Sequence, residues 1–362
     1  MTRMTTTIAA TAMVTMTINP QEKDMRNFSR RAFLLVAGLL MSFAAGAWDR
    51  GAVQRFATLP PGALNPEGIT VERHTGDVYV TGFNPTGAGK AQIYVFNDNG
   101  HLKRVLDVTG SSSALLGIAF HPLTHDLLVA DLGAGNVVNV NPYTGAGTPF
   151  TTIGAGAGLN ALAFDRAGNV YISASFEGRI YRTGPKGGAA QVWAADPLLA
   201  TTGFPPFGAN GIDFNRDETA LFVANTGNDT IVRIPLIAAG AAGKAEVFTN
   251  SINGADGLLV DEDDNLWVCA NQADEIVVVD RTGKALAKLG DFDGVRRGSP
   301  VGLLFPASLA RHGDWLYITN LSLDLRPITG QQSVDSQWAA VVKTHTISRI
   351  RFSIPGKARD DD

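Results

Sequence analysis

Four oxygen-bearing side chains occupy the same place in four of the six copies of a repeated unit. The residue just before the first apolar run of each copy is, in chain order, Glu67, Leu116, Asn160, Asn210, Asp256 and Pro306. Two carboxylates and two amides offer only oxygen ligands, and this set suits one divalent cation, with Ca²⁺ the best fit. The lack of a soft ligand disfavours copper and structural zinc, while Zn²⁺, Mn²⁺ or Mg²⁺ stay open as alternatives.

Turn formation is the competing interpretation of each position taken alone. Asn210 and Asp256 each precede a glycine, a common turn dipeptide, and Glu67 follows a proline. Polar residues nevertheless recur at one equivalent place, and neither Lys nor Arg occurs there. This recurrence favours metal binding.

The repeated unit contains short strands at a regular period. Its second strands begin at Asp77, Asp126, Asn169, Ala220, Asn265 and Asp314, at spacings of 49, 43, 51, 45 and 49 residues. A period in the forties with several strands per copy is typical of a β-propeller. The sequence therefore predicts an all-β, six-bladed propeller, with an open pair of β-sandwiches as the weaker alternative.

The sixth copy has no fourth strand after its third, which begins at Thr346. A spare strand lies at the other end, at 52–59, and we expect it to complete the last blade and so remove an open edge. No linker divides the remaining chain, which predicts one domain over residues 48–362. Three long irregular segments, 194–209, 290–305 and 321–345, are expected around one rim of the propeller.

The pattern of the first 47 residues predicts an N-terminal extension followed by an export signal. Arg30 and Arg31 precede an apolar run that ends at Ala47, and this run is too short to favour a membrane anchor. The string SRRAFLL resembles the twin-arginine signal, whose machinery exports folded proteins. We expect cleavage near Ala47, no stable membrane anchor afterwards and a periplasmic or secreted protein. Translation starts at Met1 or at Met25.

Charge and cysteine content exclude some partners and bonds. The net charge of the 362-residue chain is −4, and no basic run follows the N-terminus, which argues against nucleic acid as a partner. The single cysteine, Cys269, rules out an intramolecular disulfide and is expected to fill core space.

Several strings resemble one known family. They are PEGI at 66–69, NALAF at 160–164, ANGIDF at 209–214 with its following ALFVANT, and ADGLLVDEDDNLWVCAN at 255–271. They look like the senescence marker protein (regucalcin) and gluconolactonase family, and more distantly like paraoxonases and strictosidine synthase-like proteins. The resemblance implies a six-bladed propeller with a divalent metal held by Glu67, Asn210 and Asp256. It places Asn160 where the family has a further metal-contacting or substrate-contacting Asn.

The chain departs from the paraoxonases at one catalytic position. Those enzymes carry a histidine before the inner strand of the second blade, where this chain has Leu115 and Leu116. A histidine base is therefore not expected. His74, His121, His125 and His312 fall near turns at the opposite end of the propeller.

The leading hypothesis is an exported, metal-dependent hydrolase of lactones or related cyclic or aryl esters, acting on a small-molecule substrate. Asp256 is the candidate catalytic residue that orients or deprotonates water. Asn160, Arg296 and Phe207 are the candidate substrate-binding residues, and Phe204 and Phe305 are further candidates for apolar walls. The alternative is a non-catalytic periplasmic propeller that binds a protein or small ligand and uses metal only for stability.

Overall fold

The computed structural model describes residues 49–356, so the predicted signal segment at 1–47 lies outside the described residues. Within 49–356, no helix is long and apolar enough to span a membrane. Strands dominate this part of the chain, because β-branched and aromatic residues alternate with turns rich in Gly, Asn and Asp.

The predicted six-bladed propeller is confirmed. Each blade is an antiparallel sheet whose strands follow one another from the axis outwards. After β1 (Gln54–Thr58), blade 1 contains β2 (Asn65–Val71), β3 (Val78–Phe83), β4 (Ala91–Phe96) and β5 (Leu102–Val108). Blade 2 contains β6 (Leu115–Phe120), β7 (Leu127–Asp131), β8 (Asn136–Val140) and β9 (Gly147–Thr152). Blade 3 contains β10 (Leu159–Phe164), β11 (Val170–Ala174), β12 (Arg179–Gly184) and β13 (Gly187–Ala195).

The next two blades keep this order. Blade 4 contains β14 (Ala209–Phe214), β15 (Ala220–Asn225), β16 (Thr230–Ile237), the short β17 (Ala241–Ala242) and β18 (Glu246–Asn250). Blade 5 contains β19 (Ala255–Val260), β20 (Leu266–Ala270), β21 (Glu275–Val279) and β22 (Ala285–Leu289). A two-stranded hairpin of β23 (Phe292–Arg296) and β24 (Ser299–Gly302) follows, where the sequence had suggested an irregular segment.

Blade 6 combines strands from the two ends of the described chain. It contains β25 (Pro306–His312), β26 (Trp315–Asn320) and β27 (Thr346–Arg351), and β1 pairs antiparallel with β27 as its outer strand. In this pairing Arg55 lies opposite Ser348.

The apolar cores lie between neighbouring blades. The second strands β7, β11, β15 and β20 are buried along their whole length. Ile93 of blade 1 belongs to the same buried cluster as Leu127 of blade 2, and both side chains are fully buried. Burying a side chain of this size contributes about 1.5–3 kcal/mol, which makes blade-to-blade packing the main source of stability.

Each inner strand carries an irregularity at the same place. The register against the second strand shifts between Pro66 and Ile69 in blade 1, and at the equivalent place in the other five inner strands. Such a bulge bends the strand and redirects one side chain. In blades 1, 3, 4 and 5 the residue in the bulge is one of the four candidate ligands.

Candidate functional site

The candidate ligands lie inside the inner strands, at the bulge, rather than just before them. The next residue is glycine in blades 1, 2, 4 and 5, and it packs against the carbonyl of the bulge residue in the following blade. A Cβ on Gly211 would stand 2.4 Å from the Asp256 carbonyl oxygen, and one on Gly257 would stand 2.6 Å from the Ala307 carbonyl oxygen. The glycines therefore permit close contact between blades, and the Asn-Gly and Asp-Gly pairs do not form turns here.

These contacts between inner strands correct one of the six equivalent positions that were compared in the sequence. Pro306 pairs with Asn320, as Ala255 pairs with Ala270 in blade 5, so the residue equivalent to Asp256 in blade 6 is Ala307 and not Pro306. A run of apolar residues does not reveal a bulge, so the sequence pattern placed the equivalent position of blade 6 one residue too early.

The structure brings the four candidate ligands together in one cavity on the propeller axis. The cavity has a volume of about 40 Å³, and Glu67, Asn160, Asn210 and Asp256 all line it. Each of the four residues is only 4% exposed. Four blades thus contribute one polar side chain each to a small, buried space.

Two buried carboxylates face this cavity without full hydrogen bonding. Oε2 of Glu67 and Oδ1 of Asp256 are buried and have no hydrogen-bond partner. Burial, and then the charge of Asp256, raises the pKa of Glu67 well above its ordinary value. Burial likewise raises the pKa of Asp256 to about 7, against the opposing effects of the hydrogen bond from Asn271 and of the neighbouring Asn210 amide. Two carboxylates in one low-dielectric cavity favour either a proton or a cation between them.

Hydroxyl groups just after the second strands orient the side-chain amides of Asn160 and Asn210. The Nδ2 of Asn160 donates to Oγ of Ser175 at 3.3 Å, and the Nδ2 of Asn210 donates to Oγ1 of Thr226 at 2.8 Å. Both hydroxyls in turn donate to a backbone carbonyl of the next blade, at 2.6 Å and 2.8 Å. Because each amide nitrogen is held in this way, its carbonyl oxygen is the atom left for a ligand.

A third supporting residue occupies the equivalent place in blade 5. The Nδ2 of Asn271 donates to Oδ2 of Asp256 at 2.9 Å. Ser175, Thr226 and Asn271 each follow a second strand by one residue and stand 15 or 16 residues after the ligand that they support. Asn271 is a candidate for a supporting role from the sequence, because it lies at the end of a predicted second strand, whereas Ser175 and Thr226 were missed although the nearly constant spacing is visible in the sequence.

Asp131, Asn225 and Asn320 also lie at the ends of second strands, where the sequence makes them candidates for the same role, but they form hydrogen bonds in turns and loops. Asp131 accepts from the backbone nitrogens of Gly133 and Ala134, Asn225 donates to backbone carbonyls at 198 and 200, and Asn320 accepts from the Leu304 nitrogen. Of these candidates, only Asn271 contacts a ligand side chain.

The donor set fits a hard divalent cation. It offers two carboxylates with partnerless buried oxygens and two amide oxygens, and Ca²⁺ prefers such all-oxygen sets. Among residues 49–356, no group of three or more His, Cys, Asp or Glu side chains is arranged to hold a metal, so the candidate site depends on its amides.

Most of the other residues that line the cavity are apolar, and Thr226 and Asn271 line it too. Phe83 lines it from blade 1, Leu116 from blade 2 and Leu321 from the segment after β26, while Phe305 and Phe207 line it from the loops. A larger chamber of about 750 Å³, here termed the vestibule, shares Phe83, Phe207, Leu323 and Leu325 with the inner cavity. Its wall also includes Leu132, Phe176, Phe204 and Ile328.

The predicted substrate-binding residues separate into two groups. Asn160 and Phe207 line the inner cavity, and Phe207 also lines the vestibule. Arg296 is exposed at the end of β23 and lines neither chamber. The sequence did not predict this hairpin, and on it Arg296 is outside the lining of both chambers.

Histidines and the cysteine do not line either chamber. His121 is buried, and its ring bonds the Gly168 carbonyl and two backbone nitrogens of its own turn. Cys269 is fully buried, and burial, followed by the charges of Asp256 and Glu67, raises the pKa of its thiol well above the ordinary value. Such a thiol is a core residue and not a nucleophile.

A model of the SMP-30/gluconolactonase/LRE-like region matches residues 66–290, which is more than half of the 362-residue chain. The chain belongs to this family. The resemblance found in the sequence is therefore confirmed. Within the SMP-30/gluconolactonase/LRE-like region lie blades 1 to 5 and all four candidate ligands. No match was found among curated proteins.

Solved structures of three relatives share the fold. A calcium-binding protein, regucalcin, from Agrobacterium tumefaciens is 18% identical with a TM-score of 0.59, over 84% of this chain and 96% of its own. A luciferin-regenerating enzyme is 17% identical with a TM-score of 0.58, over 85% and 98%. A gluconolactonase from Xanthomonas campestris is 15% identical with a TM-score of 0.57, over 83% and 90%. At these identities the likeness establishes the propeller fold.

Proposed function

We propose that this protein is a metal-dependent hydrolase of lactones or related cyclic or aryl esters. One observation supports this above all: Glu67 and Asp256 each present a buried, partnerless carboxylate oxygen to a cavity that Asn160 and Asn210 also line. Membership of a family that includes gluconolactonases agrees with the proposal.

The reaction adds water across the ester bond. The hydroxyl of the water joins the carbonyl carbon, the carbon–oxygen bond of the ring breaks, and the proton goes to the departing alkoxide, giving a hydroxy acid. A divalent cation held by Glu67, Asn160, Asn210 and Asp256 would supply positive charge where the carbonyl oxygen becomes negative. Asp256 orients the water and accepts its proton, because its Oδ1 faces the cavity without a partner.

Metal analysis combined with hydrolysis assays tests this function. The purified protein is assayed on a panel of lactones and aryl esters before chelation, after chelation, and after Ca²⁺, Mn²⁺, Mg²⁺ or Zn²⁺ is restored. We expect activity to be lost with the metal and regained with it. Undiminished activity after verified metal removal would refute the metal-dependent mechanism. Bound metal without turnover on the panel would support a non-catalytic, ligand-binding propeller instead.

Two substitutions test the ligand assignment. Asn210→Ala and Asp256→Ala each remove one oxygen ligand and should lower metal occupancy while the circular dichroism spectrum stays that of the wild type. Asn228→Ala is the matched control, because Asn228 is exposed in the turn after β15. Full occupancy in both site variants would contradict the assignment.

We also propose export by the twin-arginine route, which rests on the sequence alone. Arg30→Lys together with Arg31→Lys should leave uncleaved precursor in the cytoplasm, because the pathway reads the arginine pair. Fractionation of cells that express the full chain measures this, and normal export of the double variant would contradict it.

A further inference from the structure

The vestibule differs from the inner cavity in its chemistry, and this difference points to a class of substrate that the proposed function leaves open. Fourteen residues line the vestibule and none of them is charged. Its polar side chains are those of Thr202, Thr329 and Gln331. A polyhydroxylated sugar lactone or a sugar acid would lose its hydration here without sufficient hydrogen bonds or cationic partners in return.

The inner cavity and the vestibule adjoin each other. They share Phe83, Phe207, Leu323 and Leu325, so these side chains border both the space beside the carboxylates and the larger chamber. The inner cavity has a volume of about 40 Å³, against about 750 Å³ for the vestibule. A small polar group fits the inner cavity, and any larger substituent must lie in the vestibule.

The outer lip of the vestibule is apolar and open to solvent. Phe176 and Ile328 line the vestibule, yet they are 51% and 46% exposed. The ring of Phe176 lies 5.4 Å from that of Phe207, which reaches the inner cavity. Aromatic surface thus runs from the lip to the floor. Apolar surface exposed at a concave site is typical of a ligand-binding region.

We propose that the substrate is a lactone or ester with a neutral apolar chain or aromatic group. Its ester group occupies the inner cavity and its apolar substituent fills the vestibule. This inference rests on the proposed function for the reaction and on the vestibule for the substrate class.

A series of lactones that differ only in chain length tests the substrate class. The compounds are γ-butyrolactone, γ-hexalactone, γ-octalactone and γ-decalactone, compared with glucono-δ-lactone. We expect kcat/KM to rise by up to about fourfold for each methylene that the vestibule buries, since one buried methylene contributes about 0.8 kcal/mol. Glucono-δ-lactone should have a lower kcat/KM than γ-hexalactone, which also has six carbon atoms.

Two variants locate the effect. Ile328→Asn should flatten the dependence of kcat/KM on chain length, because it places a polar amide on the lip. Val247→Asn is the matched control, since Val247 is also a β-branched residue, is also 46% exposed, and lies on β18, away from the vestibule. An equal slope in the two variants would overturn the assignment of the vestibule.

Binding without turnover separates this inference from the proposed function. Calorimetry with 5-alkyl-2-pyrrolidinones, lactams that resist hydrolysis, reports the chain-length dependence of affinity alone. Affinity that rises with chain length supports the apolar substrate class, even if no lactone is hydrolysed and the proposed hydrolase function fails. Hydrolysis of lactones with neither activity nor lactam affinity dependent on chain length would overturn the substrate class and leave the hydrolase function standing.

Discussion

Glu67 and Asp256 come from blades 1 and 5, and each presents one buried carboxylate oxygen without a hydrogen-bond partner to the same axial cavity. The charge of Asp256 raises the pKa of Glu67 further than burial alone. Two such groups repel each other when both are ionised, and a cation between them removes the repulsion. We therefore expect the candidate site to be destabilising by itself and stabilising once a cation is bound.

Glu67→Gln should uncouple stability from metal. The metal-free variant should unfold at a temperature equal to or above that of the metal-free wild type, since burial raises the pKa of Glu67 and this costs free energy of folding that an amide does not. Ca²⁺ at one hundred times its Kd should stabilise the wild type by about 2.7 kcal/mol and the variant by much less. Thermal unfolding with and without Ca²⁺ measures both effects. Glu246→Gln is the control, since Glu246 is exposed on blade 4, and this variant should be stabilised by Ca²⁺ as much as the wild type. Equal stabilisation of Glu67→Gln by Ca²⁺ would contradict the assignment of Glu67 as a ligand.

Gly211→Ala should disturb the ring of inner strands. Its Cβ would stand 2.4 Å from the Asp256 carbonyl oxygen, a backbone atom that cannot move aside alone. We expect a loss of about 1–3 kcal/mol of stability and weaker metal binding, as for an overpacked core. Gly184→Ala is the control, because no atom lies within 4 Å of its added Cβ. Urea unfolding measures the loss of stability, and calorimetry measures the metal affinity. Equal stability and equal affinity in the two variants would disprove the close-contact explanation.

Thr226→Val should weaken metal binding through Asn210. The Thr226 hydroxyl accepts from Asn210 and donates to the Ala255 carbonyl, so the variant loses both the orientation of the amide and a bond between blades. Loss of such a supporting group typically lowers metal affinity by about 10–100-fold. Thr81→Val loses a similar hydroxyl bond to the Leu116 carbonyl without touching a ligand side chain. Both variants should lose stability, but only Thr226→Val should show the drop in affinity by calorimetry.

Phe207→Ala and Arg296→Ala should differ in their effect on activity. Phe207 lines both chambers, so its loss should lower kcat/KM by about tenfold or more, as expected for an apolar contact that a substrate buries. Arg296 is exposed on β23 and lines neither chamber, so its loss should change kcat/KM less than twofold. Steady-state kinetics on one lactone compare the two. A larger effect at Arg296 would restore the sequence-based hypothesis that it binds substrate.

Stability should fall as pH rises because of a buried carboxyl pair next to the site. Burial and the neighbouring Asp335 raise the pKa of Asp274 to about 8, and burial raises that of Asp335 to about 6. Glu275 also adds negative charge at Asp274. The folded state thus binds more protons than the unfolded state above pH 3.8, the ordinary pKa. This contribution is complete below pH 3.8 and is lost as pH rises to about 8.

Asp274→Asn tests that pH dependence. The amide keeps an acceptor for the Phe305 nitrogen, which donates to Oδ1 of Asp274 at 2.7 Å, but it cannot ionise. The variant should gain stability relative to the wild type as pH rises from 5 to 8, by up to about 1.4 kcal/mol per pH unit for one proton. Urea unfolding across this range measures the difference. Asp280→Asn is the control and should show no such trend, since hydrogen bonds from Thr282 lower the pKa of that carboxyl. Parallel plots of unfolding free energy against pH for Asp274→Asn and the wild type would refute the prediction.

The sequence by itself determined the fold and most of the candidate ligands. The period of about forty-five residues and the short apolar strands were sufficient for six blades, because each blade repeats the same local pattern. Glu67, Asn160, Asn210 and Asp256 stood out because a polar residue recurred at one place in that pattern. These are local features, and the printed chain displays them directly.

Only the tertiary structure decided why three of those residues, Glu67, Asn210 and Asp256, are followed by glycine and what surrounds all four. The glycine after Asn210 looks like part of a turn, yet it is required by the Asp256 carbonyl of the next blade, 45 residues further along the chain. Ser175 and Thr226 orient the amides of Asn160 and Asn210 by hydrogen bonds, and Arg296 lines neither chamber; both facts depend on how the chain folds. Contacts between blades join residues that are distant in sequence, and no local pattern records the distance between them.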